Sequence, residues 1–500
     1  MELHAYFVLG TILVVVYVWR RRRDPLNAIP TVGGPSLPLL SYIGAYRFMV
    51  RGQSLLDEGY AKYRGSAFKV AMFDQWLVVL SGTHLVEEVR KSPEEVFSSM
   101  EGVLYLTQFK HYIHPNIIKD PFHVDPIRDQ LTRQLAPMLP NILDEIIETC
   151  KEHIPAKEHE WAALPGASIM LTMIARATGR AFVGVPMCRD PKYIHAAVSF
   201  TMDLVRARMF INLVPERFKP LVARFFQGPA RNLHAAADTL EPLIRERESF
   251  LEREDDSEPG EKPADLLHWI LESNREHGEK VHTVVTRLQL INFAAIHTSS
   301  ASLTHALYHL LANPEYIPIL RKEVEGAIRE TGWTKASLEK MRMIDSLFKE
   351  ALRYSGISLL SVYRRAMCDV KLPGGIHIPA GTLTSVAMHP IHHDEAFYKN
   401  ADQFILERFS KVQGSEKDNA RQQFVNTTAE CVSFGRGKHA CPGRFFASME
   451  LKVILAYLLM HYDMKLENQD EGRPADLRLG HSILPSRNAV VLFRKRVQVA

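Results

Sequence analysis

Cysteine is scarce in this 500-residue chain: Cys150, Cys188, Cys368, Cys431 and Cys441 are the only five, and no Cys-x-x-Cys pair occurs. A disulfide framework or a structural zinc site needs paired cysteines at short spacing, so both are excluded and a reduced compartment is expected. A charge excess is missing too. Lysine and arginine total 61 against 57 acidic residues, a net +4, far short of the basic surplus of a general nucleic-acid binder, so no nucleic-acid partner is expected. No repeat period or long low-complexity tract is visible, and no Gly-rich dinucleotide fingerprint follows a strand. The chain therefore carries no NADPH module of its own. Hydrophobic residues at 46% and charged residues at 24% are globular usage and exclude a disordered chain.

Long uncharged apolar runs are rare, with one exception at the start. Residues 5–19 carry no charge, and Arg20, Arg21, Arg22 and Arg23 follow at once. A spanning helix needs roughly 20 apolar residues; Leu3, His4 and the arginine stems extend this shorter run. A cleaved signal peptide has its basic residues first, the reverse of this order. The arginines predict a cytoplasmic body behind a transmembrane anchor over 1–23, the alternative being a buried N-terminal helix. Pro30, Gly33, Gly34, Pro35 and Pro38 then read as a semi-rigid tether over 24–40.

The body over 41–500 reads as one mainly helical domain with small sheets. Apolar residues three and four apart predict helices over 143–154, 238–254, 264–278 and 337–356. Alternating segments over 67–82 and 369–388 predict strands, and the charged stretch 252–263 a solvated loop.

Chemistry concentrates in Val-Ser-Phe-Gly-Arg-Gly-Lys-His-Ala-Cys-Pro-Gly, from Val432 to Gly443. Pro442 is suited to a first helical position, which puts Cys441 just before a helix N-terminus, where free amides favour a thiolate. Gly435, Gly437 and Gly443 allow close approach to a flat partner. A glycine-cradled thiolate suits the axial ligand of an iron porphyrin; a buried free cysteine is the alternative.

Phe434, Gly437, Cys441 and Gly443 fill the fixed positions of the pattern Phe-x-x-Gly-x-x-x-Cys-x-Gly, so the loop resembles the haem-binding signature of the cytochrome P-450 family. Other segments agree. Glu350 and Arg353 resemble the family's Glu-x-x-Arg pair, and residues 404–409 resemble its Pro-Glu-Arg-Phe segment, with Leu406 replacing the proline. The resemblance implies a buried structural cluster of Glu350, Arg353 and Arg408. The apolar segment 288–311 resembles the family's distal helix. Thr298 falls at its threonine, His297 replaces its usual acid, and Ala295 its usual glycine. A catalytic part in proton delivery is implied for Thr298, with His297 as a second candidate; the alternative for Thr298 is a bond to its own helix backbone.

The resemblance also implies partners for the haem propionates: Arg364, with Arg365 competing, His439, and Arg128 from the helix that Asp125 and Pro126 would open. Val124 stands where the family has tryptophan. Phe293, Ala294, Ile357, Leu359 and Ile483 would line a hydrophobic substrate. His389, His392 and His393 lack the spacing of a metal site and read as structural.

Together these imply the cytochrome P-450 fold and a haem b monooxygenase of the microsomal type. It would lie in the endoplasmic reticulum membrane, its catalytic domain facing the cytoplasm. Electrons would come from NADPH-cytochrome P-450 reductase, with cytochrome b5 an optional second donor. Dioxygen is the cosubstrate and membrane lipid a contact. The motifs most resemble fungal members acting on terpenoids and steroids. A peroxide-rearranging or isomerising enzyme of this fold and a non-catalytic membrane-anchored haem or lipid binder are the alternatives.

Overall fold

The computed structural model describes residues 25–37, 39–254, 263–410 and 420–497. The apolar run 5–19, its four arginines and most of the charged loop lie outside them. Among the described residues, no helix is long and apolar enough to cross a membrane.

The α-helices of nine residues or more are α1 (Ser41–Lys62), α2 (Thr83–Lys91), α3 (Ser99–Thr107), α4 (Leu135–His153), α5 (Gly166–Phe182), α6 (Pro191–Ile211), α7 (Gly228–Glu254), α8 (Leu266–His277), α9 (Val281–Ala312), α10 (Tyr316–Thr331), α11 (Arg342–Tyr354) and α12 (Arg444–His461). α9 is the central pillar, packed against α5, α6, α7, α11 and α12. Its apolar residues recur on nearly every side, as a helix enclosed by others requires.

The strands are short. A mixed six-stranded sheet has the order β1 (Thr31–Val32), β2 (Ala67–Ala71), β3 (Trp76–Leu80), β9 (Leu383–Val386), β6 (Ser361–Ala366), β4 (Phe97–Ser98). The antiparallel trio β5 (Ala162–Pro165), β13 (Val490–Lys495), β10 (Tyr462–Leu466) has β13 in the middle, and β7 (Val370–Leu372) with β8 (Ile376–Ile378) and β11 (Leu477–Leu479) with β12 (Ser482–Leu484) are hairpins. A helical core and a second core under the six-stranded sheet meet around the cysteine loop. The mainly helical body with a smaller sheet part is the expected class.

Three local expectations differ. Part of the 24–40 stretch pairs with the body: Thr31 and Val32 with Lys69 and Val70 of β2, and Ile29 and Val32 are buried. Pro30, just before β1, suits an edge strand. The 337–356 helix is two helices, Lys335–Lys340 and α11, broken at Met341, where ψ is 71°. The carboxylate of Glu323 accepts the amides of Met343 and Ile344 at 2.7 and 3.1 Å, which satisfies donors at the new helix start. Asp125 does not cap a helix at Pro126: it is itself in the right-handed helical region, between a 3-10 turn and a π-turn over Ile127–Leu131.

Glu450 of α12 is fully buried, its Oε1 accepting the Thr178 hydroxyl at 2.7 Å while Oε2 has no hydrogen-bond partner among the described residues. Burial pushes its carboxyl from 4.5 up to about 8, with Thr178 opposing. Between those values the folded protein holds a proton that the unfolded chain has released, so stability falls as pH rises through that window. Glu450→Gln is expected to abolish this slope, gaining on the order of 2–4 kcal/mol over wild type between pH 5 and pH 8. Urea denaturation at the two pH values measures it; parallel changes in both proteins would contradict it.

Candidate active site

The cysteine loop is curled by its own backbone. Cys441 N–H donates to Phe434 O at 2.8 Å, Gly435 N–H to Val432 O at 2.9 Å and Ala440 N–H to Gly437 O at 3.0 Å. Two positions have positive φ, Gly435 at 73° and Gly437 at 69°, where side chains are disfavoured. A Cβ on Gly437 would also meet Arg90 Cγ at 2.5 Å. At Gly443 the nearest atom to such a Cβ is Ile127 Cγ2 at 4.0 Å, leaving room for a flat group against the loop.

α12 starts at Arg444, so Pro442 is not its first residue; Gly443 takes the cap position. The Arg444 N–H reaches Cys441 O at 3.5 Å across a turn at 442–443, after which the helix begins. Burial raises the Cys441 thiol above its ordinary range, opposed by the Gly443 amide and by the charge and amide of Arg444. Coordination to a metal ion deprotonates such a thiol.

Remote segments brace the loop. Arg436 Nε donates to Glu87 Oε1 at 2.9 Å, and Arg90 Nε to Glu87 Oε2 at 2.5 Å. Val432 N–H donates to His392 Nε2 at 3.3 Å, and Ser361 Oγ to Val432 O at 2.8 Å. His392 thus supports the loop from the histidine-rich segment. The Phe434 ring stands edge-on to Phe424 at 5.1 Å, and Phe424 packs on Phe348 of α11 at 5.6 Å.

The cluster of Glu350, Arg353 and Arg408 is assembled. Arg353 donates to Glu350 through Nε at 2.7 Å and Nη2 at 2.8 Å, and Arg408 Nε reaches both carboxylate oxygens at 3.0 Å. Arg353 also bonds the carbonyls of His392, Ala401 and Gln403, and Arg408 those of Lys399, Asn400 and Gln403.

Between Val284 and Leu311 of α9 the exception to burial is a stripe: Ala294 and Thr298 are exposed, and Leu290, Phe293, Ala295, His297 and Ala301 partly so. Spacings of three and four put these residues on one helix face. The rest of that stretch is enclosed, so the stripe faces an interior space. Phe293 meets Phe109 edge-on at 5.1 Å. Thr298 Oγ1 donates to Ala294 O at 2.6 Å, leaving its lone pairs free to accept. His297 Nε2 lies 3.1 Å from Val198 O of α6, and burial pushes its pKa down. In this arrangement a neutral His297 joins two helices instead of presenting its Nε2–H to the space.

The three expected propionate partners form one group. The charges of Arg364 and Arg128 both act on His439, after burial, to lower its pKa, while Glu94 opposes. Among the described residues, Arg364 Nη2 and His439 Nε2 are buried without hydrogen-bond partners, although His439 Nε2 is 3.2 Å from the equally unpartnered Glu94 Oε2. Arg128 is half-exposed, 4.0 Å from Asp125. The cations Arg364, Arg128 and Lys438 stand here against the carboxylates of Glu94 and Asp125. Unpaired buried donors and surplus positive charge beside a glycine cradle fit the carboxylates of a porphyrin. Arg365 instead donates to Gly381 O at 2.8 Å.

Among the expected lining residues, Ile357 is half-buried, but Leu359 and Ile483 are wholly buried in the sheet core and do not face the space. Leu359 N–H bonds His481 O at 2.7 Å and Ile483 N–H bonds Ile357 O at 3.2 Å. These strand-like bonds turn both side chains inward. Glu87 and Arg90 have no signal in the sequence, since nothing near them marks a partner some 349 residues away.

A glycine-cradled thiol, a cationic group suited to propionates and an accessible stripe on a buried helix define a haem-thiolate protein. The Cytochrome P450 family model matches residues 32–493, and the chain belongs to that family. It is 44% identical over 490 residues to Cytochrome P450 monooxygenase 103 of Postia placenta, covering 98% of each chain. It is 34% identical to Cytochrome P450 monooxygenase CYP512U6 of Ganoderma lucidum, covering 98% of this chain and 96% of the relative. With Cytochrome P450 monooxygenase AN1598 of Emericella nidulans it shares 31% over 90% and 84%. The protein is an oxidoreductase of the monooxygenase kind, and its family implies haem, a redox partner, dioxygen and a small-molecule substrate.

Proposed function

We propose that the chain is a haem b monooxygenase that hydroxylates a hydrophobic terpenoid or steroid with electrons from NADPH-cytochrome P450 reductase, cytochrome b5 being an optional second donor. The observation that carries this is the α9 stripe, where Ala294 and Thr298 open onto an interior space in an otherwise enclosed helix. Cys441 would hold the iron, and Arg364, His439 and Arg128 the propionates. Bound there, haem supplies the activation of dioxygen. The apolar walls exclude water and orient the substrate, while the Thr298 hydroxyl accepts and passes on a proton at Oγ1. Product formation that requires both NADPH and added reductase supports the reading; isomerisation without NADPH would replace it with a rearranging enzyme, and no turnover with either would favour a binder.

Thr298→Val keeps the shape and removes the hydroxyl. It is expected to retain haem loading and substrate binding but to release more hydrogen peroxide per NADPH consumed, with product formation falling roughly 10-fold or more, as for the loss of a proton-transfer group. Unchanged coupling would leave Thr298 as a residue bonded only to its own helix.

The membrane placement, with residues 1–23 as anchor in the endoplasmic reticulum and the body in the cytoplasm, is supported by exposed apolar residues. Leu39 is 81% exposed and Tyr46 59%, and Leu221 and Phe225 are 56% and 79%. Removing 1–23 is expected to shift the protein toward the soluble fraction; an unchanged distribution between membrane and supernatant would refute the anchor.

A further inference from the structure

Arg208 of α6 is an enclosed cation without a carboxylate partner. Its Nη1 donates to Leu106 O at 2.8 Å, and no ion pair with Asp or Glu is formed among the described residues. Asp74, the acid of that neighbourhood, is committed: its Oδ2 accepts from Lys219 Nζ at 2.6 Å and its Oδ1 from Tyr105 Oη at 2.8 Å. Burial lowers the Arg208 pKa, and only the phenols of Tyr363 and Tyr105 act the other way. An enclosed guanidinium with one carbonyl bond is a fork still waiting for an acceptor.

Its neighbours come from separate segments. His481, in the turn between β11 and β12, is kept neutral by burial and by the Arg208 charge, its pKa pushed down to about 3. Ser358 Oγ lies 3.3 Å from His481 Nδ1, and the Tyr363 ring stands edge-on to the imidazole at 5.7 Å. The Tyr363 phenol lies beside the Ser385 hydroxyl, which donates to Ser361 O at 2.7 Å and keeps its lone pairs to accept. Arg208, Ser358, Tyr363 and His481 all retain part of their accessible surface. Protein surrounds the arginine, tyrosine and histidine, so that surface faces the interior.

An apolar wall runs from this corner to α9. Leu104, Phe109, Phe200 and Leu204 form its buried side, and the partly exposed Leu290 and Phe293 of the stripe pack against them. Leu204 precedes Arg208 by four residues, about 6 Å along the helix axis. The wall therefore has the Thr298 face at one end and a positive charge at the other.

We propose that the substrate is an elongated apolar molecule bearing a carboxylate, bound through that carboxylate by Arg208 while its far end is presented to the Thr298 face. This rests on the monooxygenase reading and adds the class of substrate. A purely structural Arg208, stapling α6 to α3 through Leu106 O beside the Gln108–Asn212 bond of 2.8 Å, predicts no preference for acids.

The haem-loaded full-length protein is titrated by equilibrium dialysis with hexadecanoic acid and abietic acid, each against its methyl ester. The spin-state shift of the haem is followed in parallel. The acids should bind at least about tenfold more tightly than their esters, a difference of about 1.4 kcal/mol. Arg208→Gln keeps a donor for Leu106 O but removes the charge, and should reduce acid affinity to that of the ester. Arg208→Lys should retain part of the preference. Equal affinity within both pairs, binding by neither acid included, overturns the proposal, as does a preference that survives Arg208→Gln. Should the glutamine variant fail to load haem, the wild-type ratio and the lysine variant decide: a lysine variant with no preference left for the acids also overturns it. The thiolate-type band of the reduced carbon-monoxide complex is read in every sample. Its absence from the wild type would sink the haem-thiolate reading itself, whatever the acids do.

Discussion

Replacing Cys441 with histidine is expected to remove the thiolate-type band of the reduced carbon-monoxide complex and to bring monooxygenase turnover to background. The other cysteines offer no substitute. Cys150 and Cys188 are 0% exposed, and burial pushes both thiols up to about 12. Cys431 is buried at 6% exposure, and Cys368 is exposed between β6 and β7, away from any glycine cradle. Gly435 and Gly437 shape the backbone around the 441 sulfur alone. A surviving thiolate band in Cys441→His would assign the iron to another residue.

The second large effect is expected in the cluster behind the loop. Among the described residues, Glu350→Ala removes the single carboxylate that faces Arg353 and Arg408, whose side chains are 0% and 10% exposed. It also leaves Ile405 N–H without its acceptor at 3.0 Å. Breaking a buried pair costs about 3–5 kcal/mol, a large part of the roughly 5–15 kcal/mol by which a domain is stable. The yield of folded, haem-loaded protein should collapse, and urea denaturation of the residue should show the loss. Arg353→Ala should approach that effect, since the carbonyls of His392 and Ala401 also lose their donor. Arg408→Ala should be milder because its remaining partners lie nearer solvent. Full haem occupancy and unchanged denaturation in Glu350→Ala would show that the cluster is not structural.

The parts legible in the sequence are those whose determinants are local. Phe434 to Gly443 lie within ten residues, and the backbone bonds that curl them close within 432–444. Glu350 and Arg353 are one turn apart on a helix, and the all-round apolar pattern of α9 announces its burial. Long-range partners stay hidden. Nothing near Glu87 marks Arg436, and nothing near Arg208 marks an enclosed charge. The break at Met341 is hidden for another reason: Leu338, Met341, Ile344 and Leu347 are all buried, so helical periodicity runs unbroken across two helices that bury the same side. Leu359 and Ile483 mislead because an apolar residue suits a substrate wall and a sheet core equally. Their strand-like backbone bonds, made to distant segments, decide for the core. The pairing of Thr31 and Val32 with β2 depends on residues nearly forty positions on.

The bond between Arg436 and Glu87, 349 residues apart in the chain, also has a bearing on time. Ribosomes add roughly 5–20 residues per second, so the α2 side of this brace is made tens of seconds before its counterpart. Until the last stretch emerges, α2 and α9 exist without the cysteine loop. A polypeptide interrupted before residue 441 lacks that loop and also α12, β10 and β13, whose buried residues complete the helical core; loading of the cofactor is therefore expected to be an event of the completed chain.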